Sequence, residues 1–205
     1  MDFQRLSQFL SQLSAVQPEF LHERHAHLFA TQQNWQEAAV LLPVAPHNGQ
    51  WQILLTRRVA TLRKHSGQIA LPGGKLDAGE NHTAAALREA CEEVGTPSEN
   101  WQTFAAMPPV FSPSGYRITP VPALSRRRLV LQPNPDEVAE AFYLPLAVAA
   151  DINAYHPKTV PEAVSALPAL HFESREIWGL TAAVLFQTAL LNRTLQWDFS
   201  EAVEI

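Results

Sequence analysis

Cysteine is almost missing from this chain. Cys91 is the only one among 205 residues, so no disulfide can form within the molecule. Long apolar runs are missing too: nothing approaches the length of a membrane span. The first ten residues, from Met1 to Leu10, lack the pattern of a secretory signal. The expectation is a soluble, cytoplasmic protein without a membrane partner. Positive charge is scarce: 15 Lys and Arg against 20 Asp and Glu give a net charge of −5, and no basic run reaches the size of a nucleic-acid footprint. An anionic small molecule suits that balance only if a metal ion bridges it to an acidic site. Internal repeats and low-complexity linkers are absent as well, so the length suits a single domain with a sizeable core. Its expected parts are a helical extension over 1–34, a core over 35–150, and an excursion with a C-terminal helix over 151–205.

What is present alternates between two periodicities. Phe3, Leu6, Phe9, Leu10 and Leu13 fall on one side of a helix over residues 2–14, packed either on its own chain or on a neighbour's, as a homodimer would allow. His22, His25 and His27 invite a metal reading, but His22 and His25 are three apart rather than the four of a zinc-protease helix, and a polar connector fits better. From Trp35 the runs become strand-like: 37–43 and 50–56, with Asn48-Gly49 between them as a hairpin signal. Residues 57–71 read as a basic loop or turn leading into a short strand. Residues 101–110 read as one strand and 116–125 as another, although Pro120 and Pro122 argue for an irregular or edge position. Arg126, Arg127 and Arg128 read as a surface loop or strand end in preference to a phosphate site. Residues 138–144 read as a last strand with Pro145 opening a short helix. Residues 151–169, with Pro157, Pro161 and Pro168, read as a surface excursion, and 176–192 as a helix. Strands followed by helices in this order predict a mixed sheet between helices, an α/β (α+β) architecture.

The stretch from Leu71 to Gly95 organises the rest. Pro72, Gly73, Gly74 and Gly79 make a loop; Asn81 or Thr83 can cap a helix, and Gly95 can end it. Leu87, Ala90, Cys91 and Val94 follow helical spacing and predict the apolar face, with Cys91 as buried filler. Glu89, Glu92 and Glu93 then share the opposite face. Like charges at these spacings cost roughly 0.2–0.5 kcal/mol per pair, and the lone Arg88 cannot neutralise three acids. A solvated acidic face is one reading; a set of hard oxygen ligands for Mg²⁺ or Mn²⁺, joined by a carbonyl at the Gly73-Gly74 turn, is the other.

The wider spacing decides between them. Gly74, five residues, Glu80, seven residues, then Arg88-Glu89-Ala90-Cys91-Glu92-Glu93-Val94-Gly95 resembles the signature of the Nudix hydrolases, with Ala90 a short aliphatic and Thr96 in place of a large one. The resemblance implies an α/β/α sandwich. It further implies Mg²⁺ or Mn²⁺ held by Glu89, Glu93, Glu92 and the Gly74 carbonyl region, with Arg88 and Glu80 orienting the carboxylates or serving structure alone. The general base stays open between Glu89 and Glu137.

Upstream, Leu54-Leu55-Thr56-x-Arg58, then Arg63, Gly67 and Pro72-Gly73-Gly74, is similar to the extra motif of the coenzyme A pyrophosphatase branch, with Val59 and Leu71 as departures. Residues 114–120, 136–138, 155–157 and 178–181 look like the same branch. The implied substrate is coenzyme A or its thioesters, with Arg58, Arg63, Gly67 and Gly73 at the substrate. Arg57, Lys64 and His65 could add charge beside it. ADP-ribose or a dinucleoside polyphosphate is the alternative substrate, and a non-catalytic nucleotide sensor the alternative class.

Overall fold

The computed structural model describes residues 1–18, 21, 26, 28, 29, 34–60, 67–159 and 166–203. The histidines expected in a connector, His22, His25 and His27, lie outside them, as do Arg63, Lys64 and His65.

Two long strands carry the fold. Strand β1 (Gln36–His47) turns through Asn48 and Gly49, both at positive φ, into β2 (Gln50–Arg58), pairing from His47↔Gln50 to Val44↔Ile53. Beyond that point β2 peels away from β1. The wedge between them is filled by one crossing segment: β3 (Ile69–Ala70) pairs with the end of β2, and β4 (Gly73–Lys75) pairs with the start of β1. The Leu41 N–H donates to the Pro72 carbonyl at 2.8 Å and fixes the crossing. The site is built in this wedge.

On its other edge β1 runs parallel to β7 (Tyr116–Leu124) over nine residue pairs. The expected strand over 101–110 is instead two short ones, β5 (Gln102–Thr103) and β6 (Val110–Phe111), both antiparallel to β7. The reason lies in β7. The carbonyls of Pro120 and Pro122 accept from Met107 and Phe104, so these residues face the 104–107 segment, where neither has an N–H to return. A regular ladder cannot continue there. Strand β8 (Val138–Pro145) closes the sheet along β2, with a register shift at Arg57/Arg58.

Both faces of this mixed eight-stranded sheet are covered. On one face, Ala39, Leu41, Ala45 and Leu54 pack on helix α2 (His82–Val94) through Ala85, Ala86, Ala90 and Val94. On the other, Leu42, Val44, Ile53 and Leu55 meet α1 (Phe3–Gln12), the short α3 (Leu146–Ala149) and α4 (Gly179–Leu195). Each fully buried leucine here contributes about 1.5–3 kcal/mol. Helix α1 is held by its own chain: Phe9 packs edge-on against Phe199 at 4.8 Å, the Trp51 indole N–H donates to the Met1 carbonyl at 2.8 Å, and the N-terminal ammonium meets Glu201.

The excursion expected over 151–169 holds more structure than the prolines suggested. Strands β9 (Tyr155–Lys158), β10 (Leu167–Phe172) and β11 (Arg175–Ile177) form a second, antiparallel sheet. Pro157 and Pro168 sit directly opposite each other, a pairing that needs no N–H from either. Because Glu176 and Ile177 pair with His171 and Leu170, the last helix begins at Gly179 rather than at 176.

Candidate active site

Helix α2 starts where Asn81 caps it, its side-chain oxygen accepting from the Ala84 N–H at 2.9 Å. It ends at Gly95, in the left-handed region at φ 71°, where a Cβ would also strike Gln132. The helix is turned relative to the predicted faces. Its buried side is Ala85, Ala86, Ala90, Glu93 and Val94, so Glu93 sits under the helix and Cys91 is exposed, the reverse of its expected role as buried filler. The three glutamates do not share one solvent face. Glu93 is 3% exposed, Glu89 is half-buried and Glu92 is out in solvent.

Gly73 and Gly74 explain why the wedge takes glycine. A Cβ on Gly73 would lie 2.4 Å from the Ala39 carbonyl oxygen, and one on Gly74 would lie 2.3 Å from the Glu89 Oε1. Backbone therefore presses directly against backbone at the first and against a carboxylate at the second.

Arg88 locks this arrangement. Its Nε and Nη2 donate to the two oxygens of Glu80 at 3.1 and 3.0 Å, a bidentate fork, while Nη2 also reaches the Lys75 carbonyl at 2.9 Å. Its Nη1 donates to Glu89 at 2.9 Å and Glu92 at 3.2 Å. Glu80 in turn accepts from the Asp77 N–H at 3.0 Å. The Arg88 fork holds the Glu80 carboxyl below its ordinary pKa, and Glu80 raises that of Arg88. One guanidinium thus ties the loop, β4 and the helix together.

The two inner carboxylates behave differently. Burial pushes the Glu93 carboxyl up to about 8; Glu89 and Glu137 add to the rise, and Arg58 and the Gly73 amide oppose it. Burial also raises Glu89, against Arg88 and with help from Glu92 and Glu137. The sequence-predicted Glu137 therefore belongs to the same electrostatic cluster. It stands in the turn before β8, and that turn is pinned to the end of α2: the Gln132 and Asn134 N–H groups donate to the Val94 and Glu93 carbonyls at 3.0 and 2.9 Å. Nothing in the residue types at 132 and 134 announces this backbone tie.

Arg58 is brought to the site but is partly engaged, its Nη1 lying 3.3 Å from Glu93 Oε1. Arg57 is drawn to Glu140 at 3.2 Å. The Gly67 N–H donates to the Arg58 carbonyl at 3.2 Å. Arg126, Arg127 and Arg128 are exposed, and Arg126 stacks over the Phe3 ring.

A hard divalent cation fits these residues. Glu93 Oε2 is buried without a hydrogen-bond partner among the described residues. The donors around it are carboxylate oxygens beside a glycine backbone, the chemistry Mg²⁺ and Mn²⁺ select. A cation would remove the cost of ionising Glu93 in this setting.

Comparisons with known proteins bear on the family and the fold. A family model described as the NUDIX domain matches residues 35–163. A protein of Pectobacterium atrosepticum, named "Uncharacterized Nudix hydrolase NudL", is 42% identical over 158 residues, 76% of this chain and 82% of the relative. A protein of the same name from Salmonella paratyphi B is 37% identical over 195 residues, 93% of this chain and 97% of the relative. Among solved structures, the MutT protein of Methanosarcina mazei Go1 aligns with a TM-score of 0.53 at 16% identity, covering 81% of this chain and 99% of that one, a likeness of fold.

Proposed function

The chain belongs to the Nudix family, and on that premise we propose that it hydrolyses the pyrophosphate bond of coenzyme A or its thioesters, releasing (acyl-)4′-phosphopantetheine and adenosine 3′,5′-bisphosphate. It is a Nudix hydrolase of a pyrophosphate-containing substrate; the coenzyme A class is the finer step. That step is supported by the extra motif Leu54-Leu55-Thr56-x-Arg58 with Gly67 and Pro72-Gly73-Gly74. The setting in this reading is cytoplasmic, and the whole chain acts as one catalytic unit.

Nudix hydrolases work with divalent metal ions, and here Mg²⁺ or Mn²⁺ would be held by Glu89, Glu93 and the Gly74 carbonyl region, with Glu92 at the solvent side. When bound, such an ion neutralises phosphoryl oxygens and lowers the pKa of an attacking water. The observation that carries the reading is the buried Glu93 Oε2 next to Glu89, without a hydrogen-bond partner among the described residues. Arg88, with Glu80, keeps Glu89 aimed past Gly74 and supplies orientation rather than chemistry. Arg58 holds Glu93 with one nitrogen and presents the rest of its fork to a phosphate. Gly73 and Gly67 keep the backbone close and open at the substrate. Glu137, which shares the field of both inner carboxylates, is the group we assign to take the proton from water, Glu89 being already held by Arg88.

The test is turnover of coenzyme A with Mg²⁺ by Glu89→Gln and Glu93→Gln. Each should lose more than the roughly 10–100-fold typical of an outer partner of a metal ligand. Near-normal turnover in both would remove these residues from the mechanism. Dephospho-coenzyme A and ADP-ribose, run in parallel, separate the coenzyme A class from its alternative.

A further inference from the structure

A second cluster of ligand atoms lies outside this site, on the three-stranded sheet. His171 of β10 stands directly opposite Glu176 of β11. His156 of β9 pairs with Ala169, two residues from His171 and so on the same face. The two imidazole rings stack 4.9 Å apart and nearly parallel, and one ligand atom from each of His156, His171 and Glu176 lies within 4.8 Å of the others. His156 Nε2 is 4.0 Å from Glu176 Oε1, while Lys158 holds the other carboxylate oxygen, Oε2, and lies over the Trp178 ring.

We propose that His156, His171 and Glu176 form a binding site for one imidazole-preferring divalent metal ion of the Zn²⁺ class. Two imidazoles and one carboxylate are a common three-ligand set for zinc, which leaves a fourth position for water. Tetrahedral zinc with bonds of about 2.0–2.1 Å brings its ligand atoms to roughly 3.3 Å from one another. The imidazoles therefore have to turn inward by about an ångström, a change of χ angles open to side chains at the surface. Each ligand comes from a different strand, so the ion would cross-link the whole sheet. This donor set differs from the carboxylates of the wedge, and imidazole does not suit Mg²⁺, so the two sites select different ions. Lys158 opposes the ion by charge and by its hold on Glu176.

The experiment titrates Zn²⁺ into the full chain in excess Mg²⁺, which occupies the wedge, and follows heat of binding and melting temperature. A parallel titration with Co²⁺ reads the visible absorption of a tetrahedral site. The expected result is one equivalent bound and a melting temperature raised by a few degrees. Both effects should be lost in a His156→Ala/His171→Ala variant that retains full Mg²⁺-dependent turnover. Lys158→Met should tighten binding. The same binding in wild type and the double variant, or no binding in either, would overturn the proposal, as would weaker binding in Lys158→Met.

Discussion

Glu93 is the residue at which folding and the proposed function pull in opposite directions. Its carboxyl is pushed up to about 8, against 4.5 for an ordinary glutamate. Between those values the folded, metal-free protein holds a proton that the unfolded chain has released. Stability of that state therefore falls as pH rises through the window, by up to about 1.4 kcal/mol per pH unit. Glutamine does not titrate. In EDTA, the melting temperature of Glu93→Gln should exceed that of wild type by an amount that widens from pH 5 to pH 8. A difference constant with pH would show that Glu93 is not the group responsible. The same residue explains where the sequence misled. Helical periodicity counts Glu93 as polar and turns the apolar face toward Leu87 and Cys91. The fold instead buries Glu93 beside Ala86 and Ala90 and leaves Cys91 outside. A buried acid breaks the pattern, and in the proposed reading it does so because it holds a metal ion, a kind of site where local rules are expected to fail.

At the scale of elements, the wedge segment decides whether the carboxylates meet. Gly74→Ala puts a Cβ on the Glu89 carboxylate, and the clash is with a group proposed to hold the metal ion. Gly79 lies in the same loop at φ 81°, and a methyl group added there would meet nothing within 4 Å. Gly79→Ala therefore costs only backbone strain of roughly 1–2 kcal/mol. Turnover should fall about 10²-fold in Gly74→Ala and stay near wild type in Gly79→Ala, as initial rates with Mg²⁺ will test; equal losses would place the defect in loop stability. The loop–helix–stop pattern was legible because Pro, Gly and Asn act locally: Asn81 caps, Gly95 terminates, Asn48-Gly49 turns. Elements that depend on partners were not. Strands β5 and β6 are set by donors missing on β7, and β9 to β11 by pairing across two opposed prolines. A single segment carries no trace of either.

For the whole molecule, the two faces of the sheet divide the work. The α2 face holds the carboxylates, and the opposite face holds α1, α3 and α4 in the larger core. Phe9 is fully buried there against Trp197 and Phe199, from the far end of the chain. Phe9→Ala should cost about 3–5 kcal/mol, seen as an earlier denaturation midpoint, while the folded fraction keeps its turnover number. Loss of turnover at full stability would mean that α1 acts on the site and not only on the core. The layered architecture was readable from element order, and the N-terminal helix from its stripe of Phe3, Leu6, Phe9 and Leu10. Which chain that stripe packs against was not, because the ring partners of Phe9, Trp197 and Phe199, lie nearly two hundred residues away.

The proposed function rests on the carboxylates of α2, pressed against the Gly73-Gly74 backbone, cutting a diphosphate with a divalent ion. Phosphorus NMR of coenzyme A with the purified protein, in Mg²⁺ or Mn²⁺ and after chelation, reads that reaction bond by bond. The diphosphate resonances should disappear as two phosphate-ester products grow, one of them adenosine 3′,5′-bisphosphate, and both changes should be stopped by chelator and by Glu93→Gln. Diphosphate resonances that persist in excess of both ions, for coenzyme A and for ADP-ribose alike, would contradict this chemistry.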